Sequence, residues 1–136
     1  MAFTRTISQA ELKRKSDLAY DGKTYKVFLA DNDSGLTPES TASAWLAEEL
    51  PTSNGYAAVT GTVTTGSGAW DSGDGRYEFP AITATFTASG GSLTYNTVVL
   101  RIGTETSVAA IGVESPAITI PDGSSKTYTI TLGTDD

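Results

Sequence analysis

Two alternating runs within residues 77–102 constrain the fold of this chain more than any other feature. The first alternates apolar side chains with threonine, and in the second the apolar face is opposite Asn96, Val99 and Arg101. Side chains of a β-strand point to alternate faces, so the pattern gives a strand one apolar and one hydroxyl-rich face. Gly90 and Gly91 can take the positive φ of a tight turn, which predicts an antiparallel hairpin between the two runs. The apolar face of this hairpin has to be covered by other strands. The apolar members of the two runs are Ile82, Ala84, Phe86, Val98, Leu100 and Ile102.

Alternating runs also occur on both sides of this central pair. Residues 23–30 have apolar side chains on both faces, which indicates a strand covered on both sides. Residues 121–124 have the composition of a β-turn and predict a closing hairpin. Turn signals at intervals of about eight to twelve residues predict a mainly β fold, an immunoglobulin-like antiparallel β-sandwich of seven or eight strands. The other expected strands are residues 56–65, 107–113, 116–120 and 126–132.

One short helix is expected at about residues 38–50. Thr37 can cap its start, Pro38 suits its first turn, and Pro51 ends it. Apolar side chains recur at spacings of three and four and form a narrow apolar stripe. Trp45 lies on this stripe and could bind a ligand, but we interpret it as a core residue that closes one end of the sandwich.

The first 20 residues are predicted to be a basic N-terminal arm, followed by the sandwich domain at residues 21–136. Ser8 and Glu11 have the spacing of a capping box, so a short helix is expected, ordered only when packed against something else. Residues 1–26 contain six basic and three acidic side chains, a net charge of +3, which leaves −10 for the other 110 residues. The arm either docks on an acidic partner surface or is an ordinary basic helix end. Its candidate partner-binding residues are Arg5, Lys13, Arg14 and Lys15.

Residues 66–75 contain four glycines around Trp70 and are predicted to be a loop. A large aromatic side chain on a loop suggests a contact site, and Trp70 is therefore the fifth candidate partner-binding residue. In the alternative, Trp70 folds back over the edge of the sheet. Asp71 and Asp74 flank it, but two carboxylates alone do not make a metal site. Residues 31–35 resemble the start of a calcium loop but lack its last acidic ligand, so we predict a turn.

The composition lacks most of the residue types on which catalysis commonly depends. The chain has no cysteine and no histidine, which excludes disulfides, thiolate nucleophiles and the commonest general base. Phosphate-binding loops, nucleophile elbows and paired carboxylates facing one cleft are also absent, so we expect a protein that is not an enzyme and has no cofactor and no metal. The acidic body argues against nucleic acid as partner. No run is apolar enough for a secretory signal or a membrane span, so synthesis in a cytoplasm and no membrane partner are expected.

Residues 24–103 resemble a class of small virion proteins of tailed bacteriophages. In that class a KVALFT-like strand, a helix and an E…GY segment precede alternating strands that end in a TARYAVVY-like strand. The corresponding parts here are KVFLAD at 26–31, the helix with Trp45, EELPTSNGYAAV at 48–59 and ITATFTASGGSLTYNTVVLRIG at 82–103. The chain departs from the pattern in the added Gly-Gly turn and in residues 116–136.

The resemblance implies a non-enzymatic structural protein located in the virion, on the capsid surface. It implies a capsid decoration, or cement, protein that binds the outer face of the shell and stabilises it. Its partner would be the major capsid protein, and it would form a homo-oligomer, a trimer or a dimer. The alternative is a tail-fibre, baseplate or adaptor module that contacts another tail protein, or a host glycan through Trp70 and Tyr77.

Overall fold

The computed structural model describes residues 8–73 and 75–135, and the predicted fold class is confirmed: the chain is mainly β, with antiparallel strands in the arrangement of a sandwich. Its helices are α1 (Gln9–Tyr20) and α2 (Ala42–Ala47). Its strands are β1 (Thr24–Ala30), β2 (Val59–Thr62), β3 (Ala69–Asp71), β4 (Arg76–Glu78), β5 (Ile82–Thr87), β6 (Leu93–Ile102), β7 (Ala110–Ile120), β8 (Ser125–Ile130) and β9 (Gly133–Asp135). They form three sheets, ordered β2-β1-β6-β7, β3-β4-β9 and β5-β8.

The chain folds into two compact units, each built from segments that are distant in sequence. Unit 1 combines residues 1–23, 62–83 and 129–136, and unit 2 combines residues 24–61 and 84–128. Strands β2, β5 and β8 therefore have residues in both units. The boundary expected between an arm at 1–20 and a domain at 21–136 stays a prediction.

The centre of unit 2 is the antiparallel pair β1 and β6. Val27 lies opposite Leu100 and Phe28 opposite Val99, and all four side chains are almost completely buried. Burial of consecutive residues means that both faces of these strands are covered, as the two apolar faces of residues 23–30 predict. Trp45 of α2 is fully buried in the same unit, which confirms its interpretation as a core residue.

A second layer of unit 2 is formed by β5 and β8. Phe86 of β5 is buried and stacks on Tyr56, with ring centroids 6.1 Å apart. Tyr128 of β8 makes edge contacts with Phe86 and with Tyr95 of β6, so aromatic rings connect the two layers. The alternating burial predicted for residues 82–87 is confirmed.

Both predicted hairpins are wrong. The turn at Gly90 leads from β5, which pairs with β8, to β6, which pairs with β1 and β7. The turn at 121–124 likewise leads from β7 in one sheet to β8 in the other. An alternating sequence determines which side chains share a face, but it does not determine which strand lies alongside. Here the two apolar runs face each other across the core, which buries both without pairing them.

The predicted strands at 107–113 and 116–120 are parts of one strand, β7. Its register against β6 shifts between Tyr95 and Thr97, so that residues 114–117 lie opposite the single residue Asn96. A bulge of this kind bends the strand and redirects side chains. β7 is at the edge of its sheet, and Val113 is 68% exposed.

The expected helix at 38–50 is shorter at both ends. Thr41, not Thr37, caps α2, because its hydroxyl accepts a hydrogen bond from the Ala44 amide at 3.2 Å. The Thr37 hydroxyl instead accepts from the Glu39 amide within a turn. After Ala47 the chain returns alongside β1, where the Leu50 amide donates to the Leu29 carbonyl at 3.0 Å. Bonding to the neighbouring strand therefore ends the helix before Pro51 is reached.

Unit 1 contains the small sheet β3-β4-β9, and α1 packs on all three of its strands. The predicted loop at 66–75 is wrong in this respect, because β3 lies within it and pairs as a short hairpin with β4, which begins directly after it. The strand expected at 56–65 is reduced to β2. The buried apolar residues of the unit are Leu12, Val63, Tyr77, Phe79, Ile82 and Leu132.

Candidate binding surfaces of unit 1

Helix α1 carries the described basic residues of the predicted arm. The expected capping box is confirmed in one half: the Ser8 hydroxyl accepts from the Glu11 amide at 3.2 Å. Leu12 and Ser16 on its inner face are buried, and Tyr20 makes an edge contact with Phe79 at 5.9 Å. The expectation that this segment orders against something else is met by its own chain, because α1 packs on β3, β4 and β9.

Two of the cations of α1 are paired within the helix. Arg14 donates to both oxygens of Glu11, at 2.9 and 2.6 Å, and Lys13 pairs with Asp17 one turn later. These hydrogen bonds lower the pKa of Glu11 and raise the pKa values of Arg14 and Lys13. All these groups are at the surface, where such pairs contribute little to stability and exchange partners readily.

The remaining candidates differ in their positions. Lys15 is exposed, and no ion pair to it is found among residues 8–73 and 75–135. The Lys13 ammonium lies 5.7 Å from the centre of the Tyr77 ring, which brings α1 to the hairpin that carries Trp70. Lys13, Arg14, Lys15 and Trp70 therefore belong to the same unit. Arg5 lies outside the described residues.

Sequence reasoning missed one feature of α1. Leu18 is 63% exposed, although leucine usually packs inside. Arg14 and Leu18 are four residues apart and Lys15 and Leu18 three, so these side chains are neighbours on the outer face. A helical projection of residues 9–20 with Leu12 on the inner face places Leu18 on the outer face and would have identified it from the sequence.

The hairpin β3–β4 holds Trp70 opposite Tyr77. Tyr77 is only 8% exposed, and its hydroxyl donates to the Gly68 carbonyl at 2.8 Å. Gly68 makes this possible, since a Cβ there would come within 2.5 Å of the Tyr77 ring. Tyr77 is therefore a core residue of unit 1 and offers no surface to a glycan, whereas Trp70 is partly exposed.

Charged side chains alternate with this aromatic pair along the hairpin. Asp71 lies opposite Arg76, and Ala69 opposite Glu78. The Arg76 guanidinium donates to Glu78 at 2.5 Å over Gly133, whose missing side chain leaves room for both. Asp71 accepts a hydrogen bond from the Gly73 amide at 2.8 Å. Asp74 is not among the described residues.

An open groove of about 410 Å³ borders this hairpin. It is lined by Ser67, Ala69, Trp70, Asp71, Ser72, Glu78, Phe79 and Pro80. The groove combines one large aromatic surface with carboxylates and hydroxyls. Sequence reasoning identified Trp70 but not Glu78, because the pairing of β3 with β4 brings them together.

The other polar clusters belong to the interior of unit 2. The Tyr56 hydroxyl accepts from the Leu29 amide at 3.1 Å and donates to Glu49, which also pairs with Lys26 at 2.7 Å. Burial, with the bond to Glu49, raises the pKa of Tyr56. These contacts satisfy the polar groups of Tyr56, Glu49 and Lys26.

A second cluster lies between the two layers of unit 2. Tyr95 and Tyr128 share a hydroxyl–hydroxyl hydrogen bond, and Tyr128 also donates to Glu114 at 3.2 Å. Burial raises the pKa values of both tyrosines. The bulge of β7 directs Glu114 to this position.

The predicted turn at residues 31–35 is confirmed. Asn32 closes it, because its side chain accepts from the Leu36 amide and donates to the Leu36 carbonyl, both at 2.9 Å. Within residues 8–73 and 75–135 no three acidic side chains are grouped so that they could hold a metal ion. Neither helix in the described part of the chain is long and apolar enough to cross a bilayer.

Comparison of the chain with protein-family models, with curated proteins and with solved structures gave no match. Its function therefore has to be inferred from its residues and their geometry.

Proposed function

We propose that this protein is a non-enzymatic structural component of a bacteriophage virion, a capsid decoration protein that binds the outer surface of the major capsid shell. The sequence resemblance in residues 24–103 supports the class of protein. The observation that carries the proposal is the outer face of α1, where an exposed leucine lies beside two cations on a helix that is already folded.

This outer face, defined by Arg14, Lys15 and Leu18, has the composition of a docking surface. Leu18 can enter an apolar depression of the partner, and burial of one leucine side chain contributes about 1.5–3 kcal/mol. Arg14 and Lys15 would meet acidic groups around it, which favours association and the correct orientation. Because α1 packs on the sheet of unit 1, binding does not incur the entropic cost of ordering an arm.

Repetition over a shell turns modest contacts into stable attachment. A decoration protein is present in many copies, and association of copies as dimers or trimers makes each attachment multivalent. Exposed threonines on β5 and β8, bonded to each other as Thr85–Thr127 and as Thr87 with Ser125, provide a hydrated surface that remains compatible with close neighbours.

The test is binding of the full chain to phage heads assembled without it, followed by co-sedimentation. Lys15→Glu combined with Leu18→Ala should weaken binding at least about tenfold, since it removes the apolar contact and reverses one charge. Higher salt should weaken binding of the native chain. Val113→Ala is the matched control, because Val113 is an exposed apolar residue of the other unit and should bind normally.

Two results would contradict the proposal. Equal binding of the double variant and the native chain would remove the role of α1. A cryo-EM map of the virion that shows this chain on the tail, or that does not contain this chain, would contradict the assignment to the capsid.

A further inference from the structure

The groove beside β3 has the dimensions and construction of a small-molecule site. Its volume of about 410 Å³ lies within the range of ligand sites, about 300–1,000 Å³, but the groove is open rather than enclosed and would hold a ligand at the surface. Trp70 is partly exposed at its side, and the Asp71 and Glu78 carboxylates border it with the Ser67 and Ser72 hydroxyls. β3 is the edge strand of its sheet and so presents backbone groups to the solvent as well.

The walls of the groove are fixed by internal contacts. Trp70 is held opposite the buried Tyr77, whose hydroxyl is bonded to Gly68. Asp71 caps the hairpin turn through the Gly73 amide. A site whose polar groups are already oriented loses little entropy when it binds a ligand.

The charges of the groove select the chemical class of the ligand. Two carboxylates disfavour sulfated, phosphorylated or carboxylated ligands. A cationic ligand is disfavoured at Glu78, because Arg76 already compensates its charge at 2.5 Å. The Gly73 amide orients the Asp71 carboxylate without neutralising it. Carboxylates held in this way remain good acceptors for hydroxyl donors, since each oxygen can accept more than one hydrogen bond.

We propose that this groove binds a neutral saccharide. The indole of Trp70 packs against the C–H face of a sugar ring, while Asp71 and Glu78 accept hydrogen bonds from its hydroxyls. An aromatic surface combined with a few oriented polar groups is what an amphipathic ring with many hydroxyls requires. The inference does not depend on the proposed docking of α1, because it uses other residues of unit 1.

Tryptophan fluorescence can localise the ligand. The chain has two tryptophans, and Trp45 is fully buried, so acrylamide should quench mainly Trp70. The full-length protein is titrated with neutral hexoses, N-acetylhexosamines and their oligomers, and separately with sulfated and sialylated oligosaccharides and a lysine oligopeptide. Affinities are measured by calorimetry for the native chain, for Trp70→Ala and Trp70→Phe, and for Val113→Ala as the control.

The expected result is binding of at least one neutral saccharide, with protection of Trp70 from acrylamide. Trp70→Ala should lose at least about tenfold in affinity, Trp70→Phe should lose less because it keeps a ring, and Val113→Ala should bind normally. Thermal melts test whether each variant is folded. If Trp70→Ala does not fold, the affinity of Trp70→Phe and the protection of Trp70 in the native chain test the proposal. Absence of any neutral ligand at millimolar concentration, binding without protection of Trp70, or preference for the anionic or cationic set overturns the proposal.

Discussion

A pair of engineered cysteines can test the strand order of unit 2 directly. The native chain contains no cysteine, so a double variant has a single possible disulfide. Thr85 of β5 and Thr127 of β8 have their hydroxyl oxygens 2.9 Å apart on the exposed face. Directly opposed residues of antiparallel strands have Cβ atoms about 4.5–5.5 Å apart, close to the separation that a disulfide needs. We therefore expect Thr85→Cys with Thr127→Cys to form a disulfide on mild oxidation.

The size of the stabilisation follows from the loop that the disulfide closes. The two positions are 42 residues apart in sequence. For a loop of this length the chain-entropy model gives about 4 kcal/mol, and native-state strain commonly reduces this to about 2–4 kcal/mol. Both positions are exposed threonines, so the reduced variant should be close to the native chain in stability. The measurement compares urea denaturation of the oxidised and reduced forms.

The matched control is Thr87→Cys with Thr94→Cys. These exposed positions would be opposite each other if β5 and β6 formed the hairpin that the sequence predicts. In the structure Thr87 and Thr94 lie on the outer faces of two different layers. The Thr87 hydroxyl is hydrogen-bonded to Ser125 of β8, and the Thr94 hydroxyl to Thr119 of β7. Packed sheets are about 10 Å apart, so no disulfide within one chain should form. A disulfide in the control and none in the Thr85–Thr127 variant would refute the crossing of the chain between layers.

Three further changes test the interior of the two units. Burial raises the pKa values of Tyr56 and Tyr128 above the usual value of about 10, so the unfolded chain loses these protons first. Their contribution to the free energy of unfolding should be constant up to about pH 10 and be lost above it, measured by urea denaturation at a series of alkaline pH values. Gly68→Ala should destabilise by about 1–3 kcal/mol, because its Cβ meets an aromatic ring at 2.5 Å, whereas Gly112→Ala, with open space around it, should be nearly neutral in the same denaturation experiment. Ser16→Ala should raise the free energy of unfolding by about 1 kcal/mol, because no partner for its buried hydroxyl is found among the described residues and alanine favours the helix. A lower free energy of unfolding for this variant would mean that the hydroxyl is hydrogen-bonded.

The sequence predicts the fold class and the faces of the strands but not their partners. Local periodicity places Ile82 and Phe86 inside because burial depends on the direction of each side chain. The choice of β8 rather than β6 as the partner of β5 depends on contacts between residues distant in sequence, which no local pattern contains. Likewise both Thr37 and Thr41 can cap a helix. Thr41 caps α2 where it bridges to Ser107 and the Ala42 amide donates to the Thr106 carbonyl, contacts between residues distant in sequence.

The candidate site could be predicted only in part, for the same reason. Trp70 and the basic residues of α1 are recognisable singly, because a tryptophan among glycines and a cluster of cations are unusual. That they share one unit depends on the packing of α1 against β3 and β4, which no local pattern contains. Glu78 lines the groove because of the pairing of β3 with β4. Tyr77 is not a contact residue, because Gly68 leaves room for its ring in the interior of unit 1.

The way unit 1 is assembled has a consequence for both proposals. Its three segments come from the start, the middle and the end of the chain, and its sheet strands have only three residues each. Such short strands are marginal without a packed face, so the buried side of α1, centred on Leu12, helps to hold the hairpin that carries Trp70. A partner that binds the outer face of α1 favours the folded helix and thereby the hairpin beside it. Coupling between docking through Leu18 and saccharide binding at Trp70 is therefore limited to the fraction of molecules in which the hairpin is open, and each ligand changes the affinity of the other by the same factor.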